Sequence, residues 1–173
     1  MNIRDQLLVE HSKKNTERIR EFIGNDEQKL AALMECFFKN EFQVSQRAAM
    51  VVSAVFDHSP KLIAPFIPKL IDSLTKGQYH VALKRSTIRI LQFIEIPEKK
   101  TSVLFDHCLN NVVNVKEPVA IKAFSMKVLL NICKIFPELK HEVIPVIEIE
   151  LERNESAGVI NRGKKVLQAL RKL

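Results

Sequence analysis

The sequence predicts an all-α fold, a right-handed α-α superhelix of about ten helices in which helical pairs stack along the chain. Apolar residues recur at spacings of three and four over most of the chain, which is the period of a helix face. Only four of the 173 residues are glycine, and no stretch alternates like a strand. One helix–turn–helix layout returns about every 38 residues. A single pair cannot bury its apolar stripe, so the pairs are expected to stack into a solenoid.

The clearest pair covers residues 44–74. Its first helix is expected to end before Pro60, because a residue that precedes proline is pushed out of the α region. Ser59 is expected to cap the second helix, and Pro65 and Pro68 predict a short or kinked opening to it. Gly77 is a predicted stop. The second helix has an apolar stripe at Ile63, Phe66, Ile67, Leu70, Ile71 and Leu74.

The same signals place helices along the rest of the chain. Before the pair, we predict a helix to about His11, one ending at Gly24, and one capped by Asn25 and broken at Asn40. After the pair, the predicted helices are Tyr79 to Phe93, Lys100 to Val113, Pro118 to Phe136, Leu139 to Leu151, and a last helix capped by Ser156.

A basic residue marks the repeat. Arg47, Arg85, Lys122 and Arg162 are 38, 37 and 40 residues apart, each followed by small or apolar residues, as in RAAMVVSAV and KAFSMKVLL. Together with SPKLIAPFIPKLIDSL in the second helix, these segments resemble HEAT repeats and the related armadillo repeats. We predict one helical-repeat domain over 1–173, with repeats at 14–39, 42–76, 79–114 and 117–153 and a capping helix at 156–172.

The resemblance implies a non-enzymatic interaction or scaffold module that binds a protein partner on a concave helical surface. The chain would be a monomer or a weak homodimer. The second helices would line the groove, and their residues off the apolar stripes would face it. The candidate groove residues are Lys61, Lys69 and Asp72, with Ala64, Asn110, Asn111, Lys140 and Glu148 as further geometric candidates.

The formal net charge of +7 is unevenly distributed, and the basic surplus lies after residue 60. Two clusters are candidates for binding a partner or phosphate: Lys84, Arg85 and Arg89 with His80 nearby, and Arg162, Lys164 and Lys165 in the acid-free C-terminal stretch. Such stripes can follow a phosphate backbone, so the alternative is a nucleic-acid-binding protein related in fold to HEAT-like DNA glycosylases. The competing interpretation is a solvated face, or a ladder to carboxylates of the next repeat.

No catalytic motif, metal-ligand spacing or cofactor motif was found, so the sequence predicts neither an enzyme nor a cofactor. Asp57-His58 and Asp106-His107 are adjacent pairs, whose side chains point about 100° apart on a helix. The glycosylases hold their base among tryptophans, and this chain has none. Cys36, Cys108 and Cys133 are expected to be buried reduced thiols, which predicts a cytoplasmic protein. No apolar run is long enough to span a membrane.

Overall fold

The computed structural model describes residues 1–39, 41–75, 80–153 and 156–173, and every regular element in these ranges is helical. The all-α prediction is therefore confirmed for the described residues. The chain divides into two compact units, unit 1 at Met1–Ile90 and unit 2 at Leu91–Leu173. The prediction of one helical-repeat domain over 1–173 stays a prediction.

Unit 1 begins with three helices and continues with the pair around Pro60. The elements are α1 Ile3–Val9, α2 Lys13–Ile23, α3 Glu27–Phe38, α4 Phe42–His58, α5 Pro60–Ile63, a 3₁₀ turn at Ala64–Phe66, α6 Ile67–Leu74 and α7 Val81–Leu91, whose last residue belongs to unit 2. The broken course of α5, the 3₁₀ turn and α6 confirms the kinked opening expected from the prolines. Asn40, Gly77 and Tyr79 lie outside the described residues, so the predictions made for them stay predictions.

Two predicted helix caps were wrong. Residue Asp26, not Asn25, caps α3, and its carboxylate accepts hydrogen bonds from the backbone N–H groups of Gln28 and Lys29 at 2.9 and 3.0 Å. Gly24, with φ of 53°, ends α2 in a conformation that favours glycine. After this turn, the N-cap of α3 falls at Asp26, one residue later than predicted. Ser59 occupies the cap position of α5, but its hydroxyl donates to the side chain of Asn25 at 3.1 Å instead of capping.

Unit 2 is built from four helices after the end of α7. They are α8 Glu98–Val113, α9 Val119–Ile135, α10 Lys140–Arg153, which follows a 3₁₀ turn at Pro137–Leu139, and α11 Ala157–Leu170. Pro145 lies inside α10, in its early turns as predicted. Ser156 occupies the predicted N-cap position of α11 but, like Ser59, makes no side-chain cap hydrogen bond.

Polar bonds join helices of unit 1 that are one repeat apart in sequence. The Arg47 guanidinium donates to the carbonyl of Leu7 at 2.7 Å. The Ser86 hydroxyl donates to the carbonyl of Ala49 at 3.0 Å and lies 2.7 Å from the hydroxyl of Ser53. These bonds satisfy polar groups between packed apolar stripes, where an unsatisfied donor or acceptor would be destabilising.

Helix α9 is the centre of unit 2 and is buried on most of its circumference. Its buried residues are Ile121, Lys122, Ala123, Ser125, Met126, Val128, Leu129, Leu130, Ile132 and Cys133. Helix α11 packs closely beside it. A Cβ added to Gly158 would lie only 3.0 Å from Cγ1 of Val119, which shows how near the two helices are. A Cβ on Gly163 would lie 2.6 Å from Cδ2 of Leu151 on α10. The two glycines therefore allow α11 to approach both neighbours.

A charged network crosses the interior of unit 2. The Lys122 ammonium donates to the Glu150 carboxylate and to the carbonyl of Val112, and the two side chains are 3% and 0% exposed. Arg153 donates to the other Glu150 oxygen at 2.7 Å and to the carbonyl of Val113 at 2.5 Å. The network links α8, α9 and α10, and removing one partner would leave a buried charge with less compensation.

We expect Lys122→Met to lower the free energy of unfolding by about 3 kcal/mol, because Glu150 then keeps its charge in the interior with one fewer cation. Urea denaturation at neutral pH measures this loss. The exposed lysine Lys116, changed to Met, is the matched control and is expected to change stability little. The double variant Lys122→Met, Glu150→Leu should recover most of the loss. A loss below about 1 kcal/mol in the single variant would contradict a structural role for the pair.

Candidate binding surfaces

The four basic residues at the repeat position have different surroundings. Arg47 bonds the carbonyl of Leu7, and Lys122 lies in the buried network. Arg85 is exposed on α7, and Arg162 lines a cleft on α11. The first two are therefore structural. Neither forms the expected ladder to the next repeat, because Arg47 bonds a backbone carbonyl and Lys122 pairs with Glu150 of its own predicted repeat. The last two remain accessible to a partner.

The first predicted basic cluster is partly compensated inside unit 1. The Arg89 guanidinium donates to both oxygens of Asp57, at 2.8 and 2.9 Å. Lys84 is half-buried, and the His80 ring packs edge-to-face on Phe42 with centroids 4.8 Å apart. The three cations of this cluster therefore differ in exposure and pairing, and they do not form a uniform stripe that could bind phosphates.

The second predicted cluster separates into two faces of α11. Arg162 and Lys165 line a cleft, whereas Lys164 is exposed and does not line it. Further along, Arg171 is in an ion pair with Glu148 at 2.6 Å. Two of the three cluster residues proposed for this part of the chain are thus brought together in one cavity.

That cavity lies between α9 and α11 and has a volume of about 600 Å³. We call it the basic cleft. Among the described residues, its lining contains four cationic side chains and no carboxylate. These lining residues are Lys127, Leu130, Lys134, Gly158, Asn161, Arg162, Lys165, Val166 and Ala169. A volume of this size is typical of ligand-binding cavities.

Helical spacing explains how the basic cleft is lined. Lys127, Leu130 and Lys134 recur at intervals of three and four on α9, so they share one face. On α11, Arg162 and Lys165 are three residues apart and occupy the facing wall, with Val166 beside Lys165. Leu130 and Val166 are 5% and 2% exposed, so the cleft has an apolar floor beneath its charged rims.

The electrostatics of the basic cleft show a concentration of like charge. The pKa of Lys127 is below its ordinary value, first because the side chain is partly buried and then because Lys134 and Arg162 repel its charged form. Within the described part of the chain, none of the four cleft cations is in an ion pair. The cluster therefore does not stabilise the fold through charge pairing.

Sequence reasoning missed Lys127 and Lys134. The available signal was the absence of any Asp or Glu between residues 117 and 138, combined with the acid-free sequence of α11. Taken together, these two stretches give both walls of the cleft a basic character. The pairing of α9 with α11 is a tertiary contact, so composition alone did not connect them.

A second cavity lies in unit 1 among α1, α3 and α6, and includes the predicted groove residue Lys69. We call it the mixed cleft; its volume is about 530 Å³ and its lining residues are Asn2, Ile3, Arg4, Ala32, Glu35, Cys36, Phe38, Lys39 and Lys69. The Lys69 ammonium lies 4.5 Å from the ring centroid of Phe38, a cation–π distance. Arg4 is held at its rim by Glu41 at 2.5 Å.

The other predicted groove residues are dispersed. Lys61 is exposed on α5 and Asp72 is half-buried on α6, and neither lines the mixed cleft. Asn111 lies in the core, where its amide donates to the Ser125 hydroxyl at 3.1 Å, so it does not face a groove. A third cavity, of about 430 Å³, is acidic, with Glu98, Asp106, Glu138 and Glu142 among its lining residues.

The cysteines are buried as predicted, and all three lie within the described residues without a disulfide bond. Burial raises the pKa of Cys133 to about 11 and also raises the pKa of Cys36. A thiol with a raised pKa is a poor nucleophile at neutral pH. Among the described residues, no group of His, Cys, Asp and Glu is arranged to hold a metal ion, and no helix is long and apolar enough to cross a membrane.

The described helices, arranged in packed pairs, define an all-α helical-repeat fold. The sequence profile of the HEAT repeat domain matches residues 3–170. The chain therefore belongs to the HEAT-repeat family, whose members commonly bind proteins and are generally non-catalytic. Comparison with curated proteins and with solved structures gave no significant match.

We expect the pKa of Lys127 to rise toward its ordinary value in the variant Lys134→Gln, because one of the repelling charges is removed. NMR titration of the lysine side chain measures this shift. A lowered lysine pKa in the folded state destabilises the fold fully below that pKa, and the effect is lost as the pH rises from it to the ordinary lysine pKa. The variant should therefore gain about 0.5 kcal/mol of stability at neutral pH and nothing above about pH 11.

The matched control for this experiment is Lys164→Gln, which removes an exposed cation from the same unit but not from the cleft. It is expected to leave the pKa of Lys127 unchanged. Equal shifts in both variants would show that net charge, not the cleft, depresses the pKa.

Proposed function

We propose that this HEAT-repeat protein is a non-catalytic interaction module that binds a protein partner along its second helices. The observation that carries the proposal is the mixed cleft of unit 1. Its walls include α3 and α6, the second helices of the two predicted repeats at 14–39 and 42–76. A cytoplasmic location is part of the proposal and is supported by three cysteines outside any disulfide bond.

The chemistry of the mixed cleft suits a protein ligand. Phe38 supplies an aromatic surface, while Lys39 and Lys69 supply cations and Glu35 a carboxylate. Protein interfaces combine an apolar centre with a polar rim, and aromatic residues dominate their affinity. The cleft also draws its walls from helices that are distant in sequence, so the folded repeat stack preforms it and little ordering is needed on binding.

Nucleic acid is the second candidate ligand, and the unpaired cations of the basic cleft favour it. Phosphate binding depends on such cations and weakens steeply as salt rises. Two features support a protein ligand instead. Arg89, from the first basic cluster, is already bound to Asp57. The described lining of the basic cleft contains no aromatic side chain on which a base could stack.

Site-specific photo-cross-linking tests the proposal. A benzophenone amino acid replaces Lys69 inside the mixed cleft in one variant, and Lys61 outside it in the matched control. We expect irradiation in the source cells to give a discrete cross-linked protein only for position 69. The identified partner, purified, should bind the variant Lys69→Glu about tenfold more weakly than the unmodified chain, and the variant Lys61→Glu equally well.

Three results would contradict the proposal. The cross-linked species could be removed by nuclease, which would support the nucleic-acid alternative. The two positions could give the same products, which would show that the cleft has no special role. The purified partner could bind Lys69→Glu and Lys61→Glu equally well, which would exclude the mixed cleft as the binding site.

A further inference from the structure

We propose that the basic cleft between α9 and α11 is a second binding site, and that it takes an acidic, extended segment of a protein partner. This inference rests on the proposed function only in treating the chain as a protein-binding module. It concerns a different cavity, whose walls are the first helix of a predicted repeat and the predicted capping helix.

The charge of the cleft selects the sign of the ligand. Among the described residues, Lys127, Lys134, Arg162 and Lys165 line one cavity, and no carboxylate lines it. Burial lowers the pKa of Lys127, and repulsion by Lys134 and Arg162 lowers it further. An anion that enters the cavity relieves the repulsion between these cations and is attracted by their positive charge. The like charges are already assembled in the free protein, so the site is preorganised for negative charge.

The shape of the cleft favours a single extended chain. Two packed helices have axes about 8–10 Å apart, so the furrow between them is narrower than a nucleic-acid duplex. The lysines on α9 are seven residues apart, or about 10 Å along the helix axis. An extended peptide covers this distance in about three residues, which allows neighbouring carboxylates to reach both lysines.

The floor of the cleft distinguishes a peptide from a nucleic acid. Leu130 and Val166 are almost wholly buried beneath the rims, and the small residues Gly158 and Ala169 also line the cleft. A small apolar side chain fits this floor, whereas single-stranded nucleic acids are held largely by stacking on aromatic rings. The preferred ligand therefore combines carboxylates with a small or branched apolar side chain.

Helix α11, one wall of the basic cleft, is held in place by close packing at its two glycines. Gly163 allows α11 to pack against α10, and Gly158 allows its first turn to pack on α9. The buried cation Lys122 on α9 is neutralised by Glu150, whereas the cleft cations on the same helix are not. Glu150 thus neutralises the buried lysine of α9, and it is not among the described lining residues of the cleft.

Fluorescence anisotropy with the full chain tests the proposal. The probe is a fluorescein-labelled peptide of alternating Glu and Leu, titrated at low and at physiological ionic strength. We expect saturable binding that weakens with salt. A peptide in which Gln replaces every Glu should not bind, and a peptide of Glu alone should bind at least about fivefold more weakly because it leaves the apolar floor empty.

Paired charge reversals locate the site. The variant Lys134→Glu, Lys165→Glu is expected to bind the probe at least about tenfold more weakly. The control Lys164→Glu, Lys172→Glu makes the same change of net charge at exposed positions outside the cleft and should bind nearly as well as the unmodified chain. Circular dichroism and thermal unfolding show whether each variant is folded. Equal losses in both variants, or no binding at low ionic strength, would overturn the proposal.

Two further arms separate the possible interpretations. A single-stranded DNA oligonucleotide of the same charge as the peptide should compete poorly; if it displaces the peptide and loses affinity in the cleft variant, the site binds nucleic acid and the proposal is wrong. The variant Lys69→Glu should bind the probe normally, because the mixed cleft lies in the other unit. If the mixed cleft proves not to be a binding site, the expected binding of the peptide to the basic cleft is unchanged.

Discussion

The burial of α9 is the constraint on which unit 2 depends. Ten of its side chains lie in the interior, and one of them, Lys122, carries a charge that must be compensated there. Helices α8, α10 and α11 meet this requirement by covering different sides of α9 and by supplying Glu150 and the carbonyl of Val112. The strip of α9 that remains accessible contains Lys127 and Lys134, so the basic cleft is what the packing leaves open.

Residues at the repeat position differ in role from the residues of the proposed basic cleft. Positions that repeat along the chain, such as Arg47 and Lys122, bond to backbone or carboxylate groups inside their own unit. The cleft cations lie off these positions, except Arg162, and gain nothing from neighbouring acids. Unpaired like charge lowers stability, and local conflicts of this kind are typical of functional sites.

Much of the fold was predictable because helix periodicity and proline positions are local signals. The stripe from Ile63 to Leu74 is buried except at Phe66, which is half-buried, and the helix opening after Pro60 is broken as predicted. The cap of α3 was displaced by one residue, since the backbone at Gly24 decides which side chain reaches the free N–H groups. Asn111 was predicted to face a groove, and this prediction was wrong. Its amide bonds Ser125 on another helix, a tertiary contact that the local sequence does not show.

The binding surfaces were less predictable for the same reason. Lys69 was found because it lies off an apolar stripe, and Arg162 and Lys165 because they belong to a visible charge cluster. Lys127 and Lys134 were not predicted, since no local signal in the sequence shows that α11 packs against α9. Charge counts along the sequence also could not show that Arg89 is bound by Asp57.

The most direct test of this account is the two-dimensional NMR spectrum of the ¹⁵N-labelled full chain, recorded with and without the glutamate–leucine peptide. The account predicts that the largest shifts occur at residues 127–134 and 158–169, while residues 84–89 and the walls of the mixed cleft stay unchanged. Shifts centred on residues 84–89, or spread evenly over exposed lysines, would contradict the claim that the packing of α9 and α11 creates a specific site for an acidic segment.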